Sequence, residues 1–401
     1  MHLRAGYPFG LIKNGLPHDY PKLEKDRKTD VLVIGGGISG ALAAHYLVQE
    51  NIDCILVDAR TIGLGSTCAS TSLLQYEIDT ALHQLIPLVG KKNAVRAYQL
   101  CEKAIFKIKA VAAQTGVNIF SMKNSLYVAA YKKHIPFIRQ EYETRKKYGF
   151  EVSYIEEKDM ADQFGFNAPA AILSAVGAQT DAYLLTHHLL IYNMKKGLAV
   201  YDRTPVVSVV QNKNAVIAYT KNGYSIKAKK ILYATGYEVV DVIHEPIVKL
   251  HSTYASISES FNTSPLPAKK DVLIWNTADP YLYMRTTPDN RILVGGRDEM
   301  FFSPAKRDKL IAAKAKKLRA DFNKLFPHIP FNTEFSWCGT YGSTKDGLPY
   351  IGEHKKFPNS YFSLGFGGNG ITFSQVAGEM IAAMIKGKKN KDAPIFSFER
   401  K

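Results

Sequence analysis

The sequence has little cysteine and no long apolar run, and both shortages restrict what the protein can be. Its 401 residues include four cysteines, Cys54, Cys68, Cys101 and Cys338, without a CxxC pair or metal-type spacing. We therefore expect reduced thiols in a cytoplasmic protein, with neither a disulfide framework nor a metal site. No uninterrupted apolar stretch approaches the roughly 18 residues of a membrane span. The opening residues MHLRAGYPFGLIKNG also lack the apolar core of a secretory signal.

Acidic residues are scarce as well. The chain has 36 Asp and Glu against 52 Lys and Arg, a formal net charge of +16. Such an excess can serve an anionic substrate, nucleic acid or a membrane surface. The lysines are spread over several short groups, as on solvated helix faces. We therefore expect no nucleic-acid partner and at most a peripheral contact with an anionic membrane.

The most informative stretch is residues 30–60, where an apolar strand enters a glycine-rich turn, a helix, a second apolar strand and an acid. Gly35 permits the tight turn, Gly37 allows close approach to a pyrophosphate, and Gly40 allows the helix to pack on the strand. The helix N-terminus offers N–H groups to phosphates. Asp58, eighteen residues past Gly40, stands near the offset at which a carboxylate meets a ribose hydroxyl. This stretch predicts dinucleotide binding.

A second glycine-rich turn occurs some 330 residues later, where GFGGNG at 365–370 precedes an apolar helix. One dinucleotide can thus be held at both ends by helix N-termini. A reduced flavin carries negative charge that N–H groups stabilise, whereas a nicotinamide has no such need. The second turn therefore favours a flavin.

Between the turns, periodicity predicts helices over 79–114, 135–148, 181–196 and 306–326. Strands follow Pro205, with a hairpin at Asn222–Gly223, and more strands over 247–295 suggest an antiparallel sheet. Residues 1–27, with three prolines, are expected to form an irregular leader.

Six blocks carry a family resemblance: VLVIGGGISG, TPVVSVV, LYATG, RILVGGRDE, W-x-G-x(4)-TKDGLPYIG and GFGGNGIT. In this order they resemble the FAD-dependent amine and amino-acid oxidoreductases, which include glycine oxidase, D-amino-acid dehydrogenase, sarcosine oxidase and γ-glutamylputrescine oxidase. The resemblance implies an α/β (α+β) fold, with a Rossmann-like FAD-binding domain and a second, mostly antiparallel β substrate domain. The expected FAD domain is discontinuous, over 28–85, 150–240 and 336–392, and the substrate domain covers 86–149 and 241–335.

The resemblance also implies which residues contact FAD. Some family members tether the flavin through a cysteine, but Gly339 holds the matching position and Cys338 falls one residue short, so non-covalent FAD is expected. Val206 would contact the adenine through its backbone. The full expected set is Gly35, Gly37, Ile38, Ser39, Gly40, Asp58, Ala59, Arg60, Gly65, Ser66, Thr67, Ser70, Thr71, Val206, Ala234, Thr235, Gly236, Gly367, Gly368, Asn369, Gly370, Ile371 and Thr372.

The family chemistry is hydride transfer from the carbon bearing the amine to flavin N5, followed by imine hydrolysis and reoxidation by O₂ or a quinone. Glycine oxidase-like members clamp the substrate carboxylate with an arginine, but Tyr341 stands at that place here, as in sarcosine oxidase-like members. Either another cation replaces the arginine, or the substrate is an amine without an α-carboxylate.

Candidates for the substrate pocket stand on the predicted strands. Tyr281, Tyr283 and Arg285 alternate and should share one face, and Tyr283 matches a substrate-binding tyrosine of the family. Arg285 is either a ligand clamp or a charge paired at the sheet edge. His251 and Tyr254 either line the pocket or belong to the core. A tRNA-modifying flavoprotein of the same fold is the alternative function.

Overall fold

Two β-sheets form the frame of the molecule in the computed structural model, which describes residues 1–266 and 271–400. The strands are β1 Arg4–Gly6, β2 Arg27–Ile34, β3 Cys54–Val57, β4 Leu73–Leu74, β5 Phe120–Val128, β6 Val152–Glu156, β7 Ala170–Thr180, β8 Ala199–Tyr201, β9 Val206–Gln211, β10 Val216–Thr220, β11 Ser225–Tyr233, β12 Lys249–Ser258, β13 Val272–Asn276, β14 Leu282–Thr286, β15 Ile292–Glu299, β16 Thr333–Ser343, β17 Tyr350–His354 and β18 Phe357–Leu364. The α-helices are α1 Phe9–Asn14, α2 Ile38–Gln49, α3 Leu82–Val89, α4 Lys91–Gln114, α5 Ile135–Lys147, α6 Glu157–Phe164, α7 Ala182–Met194, α8 Pro304–Lys309, α9 Ile311–Leu325 and α10 Gly370–Ile385.

The first sheet is Rossmann-like, as predicted. Its order is β17-β18-β11-β2-β3-β8, with β9 and β10 attached beside β11. The strands from β18 to β8 run parallel because crossover helices connect β2 to β3 and cover the sheet. Helix α10 crosses α2 closely at Gly378, where a Cβ atom would lie 3.1 Å from the Leu42 backbone. This close crossing lets both helices approach one cleft with their N-termini.

The second sheet is mostly antiparallel. Its order is β1-β16-β12-β15-β14-β13-β5-β7-β4, and β6 pairs with β7. Among its described pairings, β13 with β5 is the one parallel pair. Helix α9 covers this sheet by burying Leu318 and Phe322, while its lysine-rich face stays outside. The arrangement confirms the predicted α/β fold with a second, mostly antiparallel β unit.

Several expected boundaries were wrong. The leader 1–27 contains β1, which pairs with β16, because the edge of β16 offers unpaired backbone groups to the residues before Pro8. The helix expected over 79–114 is divided by Gly90, whose φ is +81°, into α3 and α4. The helix expected over 306–326 is divided at Leu310 into α8 and α9.

The expected domain division stays a prediction, and its bounds do not coincide with the two sheets. It assigned β6, β7 and most of β16 to the nucleotide unit, whereas these strands hydrogen-bond within the ten-stranded sheet. A strand's sheet is decided by partners far away in the chain, which an apolar run does not specify.

Within residues 1–266 and 271–400, no helix combines the length and apolar character needed to cross a membrane. No group of three or more His, Cys, Asp or Glu side chains in the same ranges is arranged to hold a metal ion.

Candidate active site

A continuous cleft extends along the carboxyl ends of the parallel strands and reaches the face of the antiparallel sheet. Both helix N-termini, at Ile38 and Gly370, line it. Of the residues expected to contact the cofactor, Gly40 and Val206 lie outside this lining. The others line it: Gly35, Gly37, Ile38, Ser39, Asp58, Ala59, Arg60, Gly65, Ser66, Thr67, Ser70, Thr71, Ala234, Thr235, Gly236, Gly367, Gly368, Asn369, Gly370, Ile371 and Thr372.

The two exceptions have different explanations. A Cβ atom on Gly40 would lie 1.8 Å from the carbonyl oxygen of Gly35, so Gly40 is required for packing of α2 against its own turn. Val206 lies at the start of β9, opposite Thr220 of β10, and its side chain packs against the apolar core beneath the sheet.

The first glycine turn is closed by bonds from its own neighbourhood. Gly35 has φ of +112° and donates its N–H to Val57 at 2.8 Å. The Ile38 N–H is bound by the Thr67 hydroxyl at 3.0 Å, and a Cβ on Gly37 would lie 2.8 Å from that hydroxyl. Because α2 has no capping side chain, the next N–H groups of its first turn remain for an anion.

Asp58 occupies the position expected for a ribose-binding carboxylate. Its Oδ2 accepts the Gly36 N–H at 2.7 Å and its Oδ1 accepts the Arg60 N–H at 2.8 Å. Burial raises the pKa of Asp58, while these two bonds oppose the rise. The Arg60 guanidinium forms two bonds to Glu238, at 2.9 and 2.7 Å, so its charge is already paired at this end of the cleft.

The second glycine turn is held by a remote segment. Gly368 donates its N–H to Asp79 Oδ2 at 2.8 Å, and Asn369 donates its amide to the carbonyls of Gln75 and Glu77 at 3.1 and 2.8 Å. The Gly368 N–H, expected to contact the ligand, is therefore already bound within the protein. Helix α10 starts at Gly370 without a capping side-chain bond, so its first-turn N–H groups remain available.

Tyrosines form the wall on the antiparallel sheet. Tyr254, Tyr283 and Tyr341 line the cleft as expected, together with Tyr281. Tyr341 donates its hydroxyl to Asp298 Oδ2 at 3.0 Å. Burial raises the pKa of Asp298 to about 6, although nearby Thr253 and Tyr341 favour its ionised form.

Arg285 and His251 lie outside the lining. Arg285 is buried and donates Nε to the Thr71 carbonyl at 2.7 Å and Nη1 to Gln179 at 3.2 Å. Burial lowers its pKa to about 10. It therefore supports the loop that lines the cleft, and within the described ranges no carboxylate forms an ion pair with it. His251 bonds to the Ser343 hydroxyl at 2.7 Å, with its ring beside Tyr341.

Sequence reasoning missed several residues at the site. Asp79 stands behind the second turn and belongs to no quoted block, whereas Asp298, behind Tyr341, lies within the RILVGGRDE block but was not singled out there. The N-terminal strand brings Leu3 to the cleft, which the expectation of an irregular leader could not anticipate. Trp337 and Phe366 were within quoted blocks, so their place in the W-x-G and GFGGNG motifs was an available signal. The other missed lining residues include Ser72, Gln75, Tyr237, Glu238, Thr253, Thr340 and Gly339.

The residues present fit FAD. Two uncapped helix N-termini, with Asp58 beside the first, suit a pyrophosphate and its ribose, and the glycines leave space where a Cβ would intrude. No described cysteine lines the cleft, since Cys68 is buried with its thiol towards the Gly65 carbonyl, which favours the expected non-covalent binding. Fold and site together define a dinucleotide-binding oxidoreductase with a separate substrate sheet.

The chain belongs to the DAO family of FAD-dependent oxidoreductases, whose family model matches residues 30–384. It is an enzyme of this family, and FAD is its cofactor. It is 22% identical to gamma-glutamylputrescine oxidoreductase of Escherichia coli (strain K12), over 92% of this chain and 86% of that one. It is also 22% identical to glycine oxidase of Bacillus subtilis (strain 168), over 91% and 95% of the two chains. The crystal structure of glycine oxidase from Geobacillus kaustophilus superimposes with a TM-score of 0.80 at 18% identity, covering 94% of this chain and 99% of that chain.

Proposed function

We propose that the protein oxidises the carbon–nitrogen bond of a small amine or amino acid, giving an imine that hydrolyses in water. Bound FAD supplies the two-electron acceptor for the C–H bond next to the nitrogen. The observation that supports this proposal is the single cleft, which joins two uncapped helix N-termini to a wall of tyrosines on the second sheet.

The chain's own task is to bind both partners and to orient them. The first-turn N–H groups of α2 and α10 would hold opposite ends of the cofactor. The tyrosine wall would place the substrate's C–H bond and exclude water. Held there, FAD would accept the hydride of that C–H bond, while the substrate's nitrogen lone pair would form the C=N bond.

Tyr283 is placed rigidly enough for such a role. A Cβ on Gly295 of the neighbouring strand would lie 2.2 Å from the Tyr283 ring, so the ring rests directly on the backbone of β15. Burial raises the pKa of Tyr283 to about 12, which keeps its hydroxyl protonated near neutral pH. We propose that Tyr283 and Tyr341 contact the substrate, while Arg285 positions the loop at Thr71.

The test is a substrate panel of D-amino acids, N-methyl amino acids and diamines. We expect the purified yellow protein to lose its flavin absorbance without oxygen when mixed with at least one of them, and to release the matching carbonyl product. Peroxide formed in air would identify O₂ as the acceptor, whereas reduction of an added quinone alone would identify a dehydrogenase. If no amine reduces the flavin, the proposal is wrong. The tRNA-modifying alternative has no supporting observation in the fold or the site.

A further inference from the structure

The substrate wall has the opposite hydrogen-bonding polarity from a carboxylate clamp. An arginine side chain can only donate hydrogen bonds. The Tyr341 hydroxyl donates its hydrogen to Asp298, so its oxygen can only accept a hydrogen bond from a ligand. Thr253, which also lines the cleft, is a neighbour of Asp298 and likewise favours its ionised form. The wall at this position therefore accepts hydrogen bonds.

Two carboxylates stand at this end of the cleft. Asp298 lies behind Tyr341, and its Oδ1 is buried without a partner of hydrogen-bonding geometry among the described residues. Asp79 lies against Gly367 and Gly368, and its side chain is accessible to solvent. The hydroxyl of Tyr281 also faces Gly368, at 3.3 Å from where a Cβ would stand. Aromatic rings between two carboxylates provide a site for an ammonium group.

The cations near this wall are engaged elsewhere. Arg297 pairs with Asp321 through its Nε and Nη2 groups, and Lys314 pairs with Glu299 at 2.6 Å. Arg285 donates to carbonyl oxygens instead of the cleft. Of the residues lining the cleft in the described ranges, Arg60 is the one basic side chain, and it is paired with Glu238 at the opposite end. A substrate carboxylate at this end would find the carboxyl groups of Asp79 and Asp298 nearby and no unpaired cation among the described lining residues.

We propose, on the basis of the proposed function, that the substrate is a diamine or polyamine. Its reacting amine faces the bound cofactor, and its second ammonium group donates to the Tyr341 hydroxyl, which Asp298 orients from behind, with the Asp79 carboxyl near the second glycine turn. Asp298 is the specificity-determining residue, because its charge fixes the direction in which Tyr341 donates.

The test compares molecules of the same length that differ only at the far end. The panel is 1,4-diaminobutane and 1,5-diaminopentane, their carboxylate analogues 4-aminobutanoate and 5-aminopentanoate, and butylamine with an uncharged end. We expect anaerobic flavin reduction to be at least about tenfold more efficient with the diamines than with the carboxylate analogues, which is the effect of one charged hydrogen bond. If a carboxylate analogue reduces the flavin as efficiently as its diamine or more so, the inference is wrong and the proposed function still stands.

A second readout does not depend on turnover. The diamine 2,5-dimethylhexane-2,5-diamine has no hydrogen on either nitrogen-bearing carbon, so it cannot be oxidised there. We expect it to perturb the flavin spectrum on binding, and we expect Asp298→Asn to weaken that binding by roughly 10- to 100-fold. Asp298→Glu should recover part of the loss. Equal affinity in wild type and Asp298→Asn would overturn the inference even if amines reduce the flavin.

The matched control is Glu379→Gln, which removes one charge from α10. Glu379 pairs with Lys107 on the outer surface, where both side chains are nearly half exposed. We expect this variant to bind the diamine as the wild type does, so that a loss seen only in Asp298→Asn reports the local charge. Asp298→Asn must also retain its FAD, because Asp298 lies on the substrate side. If both charge variants weaken diamine binding equally, the loss comes from the change in net charge and the inference is wrong.

Discussion

The two glycine turns of the cleft do the same job with different support. The first turn is closed within a span of about 30 residues, by Val57, Asp58 and Thr67. The second turn depends on Asp79, which lies 289 residues away from Gly368, and on two carbonyls near it. A helix N-terminus can therefore be prepared for an anion either by a local motif or by a distant segment.

The difference decides what each turn tolerates. At the first turn the limiting factor is space, because backbone atoms leave no room for a side chain on Gly40. At the second turn the limiting factor is the remote Asp79 side chain, which a Cβ on Gly367 or Gly368 would clash with, whereas a Cβ on Gly370 would meet no neighbour outside its own helix. The local backbone therefore constrains the first turn, and a distant side chain constrains the second by contact and by hydrogen bonding.

The largest effect is expected for Gly40→Val. Overpacking a core ordinarily costs about 1–3 kcal/mol. We expect a larger cost here, because a Cβ would lie only 1.8 Å from the Gly35 carbonyl oxygen. We expect no FAD-loaded protein, as measured by absorbance per protein after reconstitution. The matched control is Gly370→Ala, whose apoprotein should unfold at the same urea concentration as wild type. If Gly40→Val is yellow and active, a side chain can be accommodated at this position and the steric explanation of the first turn is wrong.

The second-largest effect is expected for Arg145→Met, which tests the buried ion pairs beneath the second turn. Arg145 is fully buried, bonds to Glu141 at 2.7 Å and reaches Glu77 at 3.2 Å, whose carbonyl in turn accepts from Asn369. Burial raises the pKa of Glu141, but Arg145 and the N–H groups of His83 and Leu82 outweigh it and hold the pKa at about 2. Removing the cation leaves buried carboxylates unpaired, at a cost of about 3–5 kcal/mol.

The measurement is the free energy of unfolding in urea, with FAD affinity determined on the same variant. We expect both to fall, because the segment that carries Glu77 also positions the second turn. Lys107→Met breaks a surface pair with Glu379 and should cost no more than about 1 kcal/mol. An Arg145→Met variant as stable as Lys107→Met would show that the buried pair does not support this segment.

The same contrast explains what the sequence could reveal. The first turn was predictable residue by residue, because strand, glycines, helix and Asp58 follow one another in the chain. Tyr281 and Tyr283 were also assigned correctly to the cleft face by strand alternation. Arg285 shares their strand, but the loop at Thr71 covers it, and no periodicity predicts what covers a face. The roles of Asp79 and Asp298 depend on contacts made only when distant elements pack, so the neighbouring sequence does not predict these roles, although Asp298 lies within the RILVGGRDE block.

Asp79→Ala should have a moderate effect confined to the second turn. It removes the acceptor of the Gly368 N–H, and a single hydrogen bond to a charged group contributes about 1.5–3 kcal/mol. We expect FAD to bind roughly 10- to 100-fold more weakly, as measured by flavin fluorescence on titration of the apoprotein. Asp79→Asn keeps an acceptor oxygen without the charge and should lie between the two. If Asp79→Ala binds FAD as wild type does, the second turn forms without its remote support.

The smallest effect is a pH dependence that separates the substrate end from both turns. Asp298 has a pKa of about 6, raised mainly by burial, so it is charged above pH 6 and neutral below it. Facing it are Tyr341 and Thr253, with Tyr281, Tyr283, Asp79 and Lys314 nearby. Burial raises the pKa of each of these tyrosines, so they stay protonated over the range tested, and burial raises the pKa of Asp79 as well. His251, beside the Tyr341 ring, has its pKa lowered by burial and is a third group that can titrate, so the variants below are needed to assign the change.

Because an ammonium ligand needs the ionised carboxylate, its affinity should fall as the pH drops through 6, by up to about tenfold per pH unit. The measurement is the dissociation constant of 2,5-dimethylhexane-2,5-diamine between pH 5 and pH 8, read from the flavin spectrum. Asp298→Asn should flatten the profile, and Asp79→Asn should leave most of it. If the pH dependence remains in Asp298→Asn but is lost in Asp79→Asn, the titrating group is the carboxylate of the second turn. The substrate end of the cleft and the second turn would then be coupled, whereas the structure separates them.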